Sequence, residues 1–175
     1  MSDILVVVDV QNDFITGSLG SEAAVDVLPN IVEKIKNHEG YVVYTMDTHH
    51  NDYLSTQEGR NLPIEHCICN TEGWMLADEV VDLTNRNANV IEKDSFGTAE
   101  LAHCIYSRPD FNNDIHIELI GYVLDICVIS NALLLKSVFP EVKITVDASC
   151  CAATSPEAFD AAVTVLKSCQ VEVIQ

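Results

Sequence analysis

The sequence predicts an α/β fold, a three-layer doubly wound sandwich around a mainly parallel six-stranded sheet. Three observations point there. Short, nearly continuous apolar runs recur along the chain, as expected of strands buried on both faces. Helix-length stretches alternate with them, the pattern that parallel strands need for their right-handed crossovers. Polar residues able to do chemistry stand where several runs end, and a ligand crevice in such folds lies at the carboxyl ends of the strands.

The elements follow in order. Ile4 to Val10 reads as the first strand, and after a Gly-rich loop Glu22 to Asn37 reads as a helix. Tyr41 to Met46 is the second strand, Trp74 to Asp82 a helical stretch and Ala88 to Ile91 the third strand. Thr98 to Tyr106 is helical and Ile115 to Ile120 is the fourth strand. Asp125 to Phe139 is a helix stopped by Pro140, which has no N–H to continue it. Val142 to Val146 is the fifth strand. The last helix, Pro156 to Ser168, opens with Thr154-Ser155-Pro156-Glu157, a hydroxyl cap before a proline in the first turn. Val171 to Ile174 closes the sheet.

At 175 residues and 48% hydrophobic, the chain can bury one substantial core, so a single domain over residues 1–175 is expected. No apolar run reaches the ~20 residues of a membrane span, and no basic segment followed by a hydrophobic region opens the chain. A cytoplasmic protein without membrane contact is expected. Seven cysteines, spread over apparent core elements (Cys104, Cys127, Cys169) and loops, do not form the even framework of a secreted disulfide scaffold. Cys67-Ile68-Cys69 and Cys150-Cys151 lack the two-residue gap of zinc-knuckle pairs and are read as structural. The net charge of −18, from 27 acidic and 9 basic residues, repels nucleic acid and anionic membranes, which leaves a small neutral substrate as the better partner.

Cys127 stands where a strand-like run passes into a helix-like one. A thiol in a first helical turn meets unpaired N–H groups and the positive end of the dipole, both of which favour thiolate. Asp9 closes Ile4-Leu5-Val6-Val7-Val8, and Lys93 follows Asn89-Val90-Ile91-Glu92. Each alone has an ordinary explanation: a core thiol, a turn residue, a solvated charge. Together an acid, a cation and a thiol at three strand ends suggest one cleft. The words around them, Asp9-Val10-Gln11-Asn12-Asp13-Phe14, Lys93-Asp94-Ser95-Phe96-Gly97-Thr98 and Gly121-Tyr122-Val123-Leu124-Asp125-Ile126-Cys127-Val128, resemble in order three signatures of the isochorismatase-like cysteine hydrolases. Within that superfamily the chain most resembles the nicotinamidase/pyrazinamidase family, from about Ile4 to Ile174.

Asp47-Thr48-His49, with His66 further on and Glu58 between, offers imidazole and carboxylate ligands suited to zinc, iron or manganese. Spacing alone makes this a weak signal. The resemblance implies more: Asp47, His49 and His66 fall on metal-ligand positions, Glu58 on an acidic fourth ligand of some bacterial members, and the cofactor is one divalent ion, zinc before iron or manganese. It further implies Asp9, Lys93 and Cys127 as catalytic residues, with Asp9 taking the proton of a thiol already poised as thiolate. The backbone N–H groups of Val123 and Cys127 would form the oxyanion hole, and a cis peptide would precede the former, at Tyr122–Val123. Phe14 matches a ring-packing aromatic. Its usual aromatic partner is here Leu62, which leaves Trp74, Phe96 or Tyr106 to supply a second wall. The implied reaction is hydrolysis of nicotinamide to nicotinate and ammonia through a Cys thioester. Hydrolysis of another small amide or ureido compound, or a non-catalytic metal- or ligand-binding relative, are the alternatives. Homo-oligomers, dimers or larger, carry over from the family.

Overall fold

A computed structural model describes residues 3–84 and 89–175. Strands β1 (Asp3–Val8), β2 (Tyr41–Asp47), β3 (Asn89–Lys93), β4 (His116–Gly121), β5 (Lys143–Cys151) and β6 (Glu172–Ile174) form one sheet in the order β3-β2-β1-β4-β5-β6. Every pairing is parallel. Ala88, expected to open the third strand, lies outside the described residues.

β1 shows why the sheet is central. Ile4, Leu5, Val6, Val7 and Val8 are all fully buried, and because successive side chains alternate they feed two cores. Ile4, Val6 and Val8 join the layer under helices α5 (Ala99–Tyr106), α6 (Ile129–Val138) and α7 (Pro156–Ser168), which contribute Leu101, Leu135 and Leu166. Leu5 and Val7 join the layer under α2 (Glu22–Asn37), which contributes Ala24, Ile31 and Ile35. Each such aliphatic side chain contributes roughly 1.5–3 kcal/mol relative to exposure. The short helices α1 (Asn12–Ile15), α3 (Gln57–Asn61) and α4 (Asp78–Val81) belong to the loops at the carboxyl edge. Ser155 accepts the Ala158 N–H ahead of Pro156, the cap read from the sequence.

Four local features differ from the sequence reading. β1 ends at Val8, because Asp9 turns into the left-handed region at φ 50°. The expected helix over Trp74 to Asp82 shrinks to Asp78–Val81. Gly73 and Met75 give their carbonyls to the Asp13 and Asn12 N–H groups, and Ala77 donates to Val10, so this backbone is bound to the segment after β1. The helix at Cys127 opens with a π-helical turn, Leu124–Val128, before α6 begins. Cys169, expected on a core face, is exposed, whereas Cys67, Cys150 and Cys151 are buried; all the described cysteines are free thiols. No helix among the described residues is long and apolar enough to cross a membrane.

Candidate active site

The strand order changes direction at β1, which has β2 on one side and β4 on the other. Register brings the strand ends level: Val8 stands beside Thr45 and Gly121, and Asp47 beside Lys93. Gly121, at φ 120°, allows this, since a Cβ there would overlap the Val8 carbonyl. Asp9, Lys93 and Cys127 therefore converge from the ends of β1, β3 and β4. Lys93 Nζ lies 2.7 Å from Asp9 Oδ2 and 3.6 Å from Cys127 Sγ, and all three side chains are buried. The Tyr122–Val123 peptide is cis, as the resemblance implies.

Burial raises Asp9 above the ordinary carboxylate range, with the Lys93 charge acting against the rise and Asp47 adding to it. Burial alone would lower Lys93, but the Asp9 and Asp47 carboxylates beside it act the other way and keep the ammonium charged. Burial and the Asp9 charge push the Cys127 thiol well above its usual value, and Lys93 only partly opposes them. A thiolate already formed at rest does not fit this environment. The set is instead carboxylate, ammonium and thiol, in which the proton can pass to Asp9 as sulfur attacks.

Asp47 bridges this group to a second one. Its Oδ1 is 3.3 Å from Lys93 Nζ, while its Oδ2 is 3.1 Å from His49 Nε2 and 3.5 Å from His66 Nε2. Asp47, His49 and His66 are buried with ligand atoms close enough to hold one metal ion. His66 Nδ1 is 2.9 Å from the Ile64 carbonyl, a contact that assigns the proton to Nδ1 and leaves the Nε2 lone pair facing Asp47. His49 Nε2 is a buried polar atom without a hydrogen-bond partner. Two imidazoles and a carboxylate, one imidazole orphaned, fit a divalent ion of the zinc, iron or manganese type. Glu58, from α3, reaches the same ring nitrogens at 3.5 and 3.7 Å, so it stands beside the trio at slightly longer range. His50 is exposed and takes no part. Burial would raise Asp47, but the His49 and His66 rings beside its carboxylate and the Lys93 charge hold it well below its usual range.

A cavity of about 350 Å³ joins the two groups: Asp47, Glu58 and His66 border it along with Val123 and Cys127, and Phe14, Leu19, Leu62, Phe96 and Ile126 supply apolar wall. Phe14 meets the His66 ring edge-on at 5.8 Å. Of the three aromatics that could complete the wall, Phe96 lines the cavity. Trp74 instead donates its indole N–H to Thr48, and Tyr106 packs on Phe111. Depressions of about 660 and 470 Å³ lie elsewhere, the first at residues 112–116 with Glu141 and Lys143 and the second between Ile15 and Asp26, and neither touches the acid, cation and thiol.

Three buried residues escaped sequence reading. Thr45 donates its hydroxyl to Asp9 Oδ1 at 2.6 Å and so aims the acid. Gln11 grips Asp47 by both backbone groups, donating to its carbonyl at 2.8 Å and accepting its N–H at 2.7 Å. Asn131 donates to the Cys127 carbonyl at 2.9 Å and accepts the Thr98 N–H at 3.1 Å, tying the turn with the thiol to the Lys93 loop. A polar residue inside an apolar run was the available signal for Thr45 and Asn131, since such groups need partners when buried.

The family model described as the Isochorismatase domain matches residues 3–175. No curated protein matches the sequence. Among solved structures, the nicotinamidase/pyrazinamidase of Bacillus subtilis is similar at 25% identity and TM-score 0.85, with 100% of both chains covered. The pyrazinamidase of Pyrococcus horikoshii, in complex with zinc, is similar at 23% identity and TM-score 0.79, covering 100% of this chain and 99% of that one. The yeast nicotinamidase bound to nicotinaldehyde shares the fold at 18% identity and TM-score 0.82, with 99% of each chain covered. With the family model spanning nearly all of it and the same six-stranded parallel fold, this chain belongs to the isochorismatase family of hydrolases.

Proposed function

We propose that this hydrolase is a metal-dependent cysteine amidase whose reaction is conversion of nicotinamide and water to nicotinate and ammonia. The observation that carries the reading is the buried Asp9, Lys93 and Cys127 set, whose Cys127 lines the same cavity as Asp47, Glu58 and His66. Cys127 Sγ attacks the amide carbon while its proton moves to Asp9, and Lys93 balances the negative charge that this creates. Backbone N–H groups of Val123 and Cys127 stabilise the oxyanion. Protonated Asp9 returns its proton to the leaving nitrogen, ammonia departs, and a thioester remains. Asp9 then draws a proton from water, whose oxygen attacks the thioester, and nicotinate is released with the thiol restored.

Asp47, His49 and His66, with Glu58 beside them, would hold the ion, and the chemistry it would supply there is Lewis-acid binding of a ring nitrogen that orients the substrate. Zinc is the first choice, with iron and manganese as alternatives. Zinc in the Pyrococcus pyrazinamidase supports that order. Charge supports a neutral substrate: among the described residues, the carboxylates bordering the cavity are Asp47 and Glu58, and no Lys or Arg lines it. A neutral amide meets no repulsion from these carboxylates. Leu62 and Phe96 favour a second reading within the same chemistry, a small amide with a bulkier ring, because Leu62 leaves one wall aliphatic.

The test is ammonia release from nicotinamide, pyrazinamide and benzamide by metal-analysed protein. Turnover of the first two with little of the third is expected. Absence of turnover with all three, in protein whose Cys127 still reacts with iodoacetamide, overturns the substrate assignment.

A further inference from the structure

We propose that Asp13 is a positioning residue for His49 and His66, acting through the backbone of Cys67. The inference rests on reading Asp47, His49 and His66 as a metal group. Cys67 is fully buried and left-handed, at φ 47°, a conformation that a residue with a Cβ keeps only where its surroundings dictate it. Two hydrogen bonds do so. The Cys67 N–H donates to Asp13 Oδ2 at 2.7 Å, and its carbonyl accepts the His49 N–H at 2.9 Å. His66 is its covalent neighbour, and the Cys69 N–H donates to the His49 carbonyl at 2.8 Å. One carboxylate oxygen thus fixes the residue whose two flanking peptides hold both imidazoles, His66 through the first and His49 through the second.

The carboxylate is itself built in. Its other oxygen accepts the Ser18 N–H at 3.2 Å, and the Asp13 backbone N–H donates to Gly73. A Cβ at Gly17 or at Gly73 would overlap the carboxylate, so two glycine backbones close around it. Asp13 makes no contact with the proton-transfer set of Asp9, Lys93 and Cys127 among its hydrogen bonds. Its influence should therefore fall on the histidines and leave the thiol alone.

Two variants separate this role from a general one. Asp13→Asn is isosteric but offers one acceptor oxygen for two N–H donors, and Gly73→Ala keeps the charge while pushing the carboxylate off Cys67. The readouts are the Co(II) dissociation constant, the visible spectrum of the Co(II) protein, and the rate of iodoacetamide alkylation of Cys127. Both variants are expected to bind Co(II) about 10–100-fold more weakly, the usual effect of losing an outer-sphere partner, with an altered spectrum and an alkylation rate within twofold of wild type. Co(II) affinity within twofold of wild type in folded Asp13→Asn overturns the proposal. So does a parallel loss of affinity and alkylation, or a failure of Asp13→Asn to fold, since either assigns Asp13 to the fold as a whole. A wild-type protein that binds no Co(II) overturns the metal reading and this inference with it, whereas wild-type binding with unchanged variants rejects the role of Asp13 alone.

Discussion

Lys93→Met removes the one cation that the described residues place among the buried groups around Cys127, and it tests the chemistry most sharply. At an effective dielectric of about 20, the ammonium attracts Asp9 at 2.7 Å by about 6 kcal/mol and Asp47 at 3.3 Å by about 5 kcal/mol. Desolvation of the ammonium offsets several kcal/mol of that, so the expected loss of stability is about 3–5 kcal/mol, as when one partner of a buried pair is deleted. A domain with a stability of about 5–15 kcal/mol stays largely folded at low temperature after such a loss. Function should suffer separately. Without the ammonium, Asp9 rises further and holds a proton at neutral pH, so it can no longer accept one from Cys127. Loss of a general base lowers kcat/KM by about 10²–10⁴, or about 3–5 kcal/mol of transition-state stabilisation. Urea unfolding measures the first effect, and ammonia release with iodoacetamide trapping of Cys127 measures the second. A folded variant with kcat/KM and alkylation within threefold of wild type would refute both the pairing and the proton path.

Cys127→Ser should fold normally and lose nearly all turnover, because a hydroxyl is a far poorer nucleophile than sulfur in this setting; activity within tenfold of wild type would sink the nucleophile assignment. Chelation, or His49→Ala, should weaken nicotinamide far more than benzamide, which has no ring nitrogen, and should leave Cys127 open to alkylation; equal losses for the two amides would reject the orienting role. Leu62→Phe should narrow the cavity and raise KM for ring-substituted nicotinamides more than for nicotinamide itself, a split absent if Leu62 faces no substrate. The acid limb has a structural marker in Asp147. Burial would raise it, but Lys34 at 2.8 Å and Ser149 hold it below its unfolded value of 3.8, so its stabilisation is present above that value and lost as pH falls through the lower folded one. Lys34→Met should therefore be less stable than wild type near neutral pH, with the gap in urea midpoint closing in acid; a gap independent of pH would exclude the ion pair as its cause.

The sequence by itself determined the layers and the chemistry's raw material. Apolar runs such as Ile4 to Val8 can be satisfied only by burial on both faces, so parallel order and a carboxyl-end crevice followed from periodicity and length. Asp9 and Lys93 were legible as polar groups ending those runs, and Asp47 and His49 only through the family resemblance, because their spacing alone is a weak signal. The tertiary structure decided everything that depends on distance between segments far apart in the chain. It brought Asp47 between Lys93 and the histidines, chose Phe96 over Trp74 and Tyr106 as the second wall, and replaced most of an expected helix by pairing of residues 73–77 with the segment after β1. It also reversed one expectation drawn from local sequence. A first helical turn favours thiolate, but the burial of Cys127 beside Asp9 and Asp47 disfavours a further negative charge, and the long-range terms outweigh the local dipole. Propensity and pattern act over a few residues, whereas desolvation and charge act through space, and through space is where a cleft between four strand ends is made.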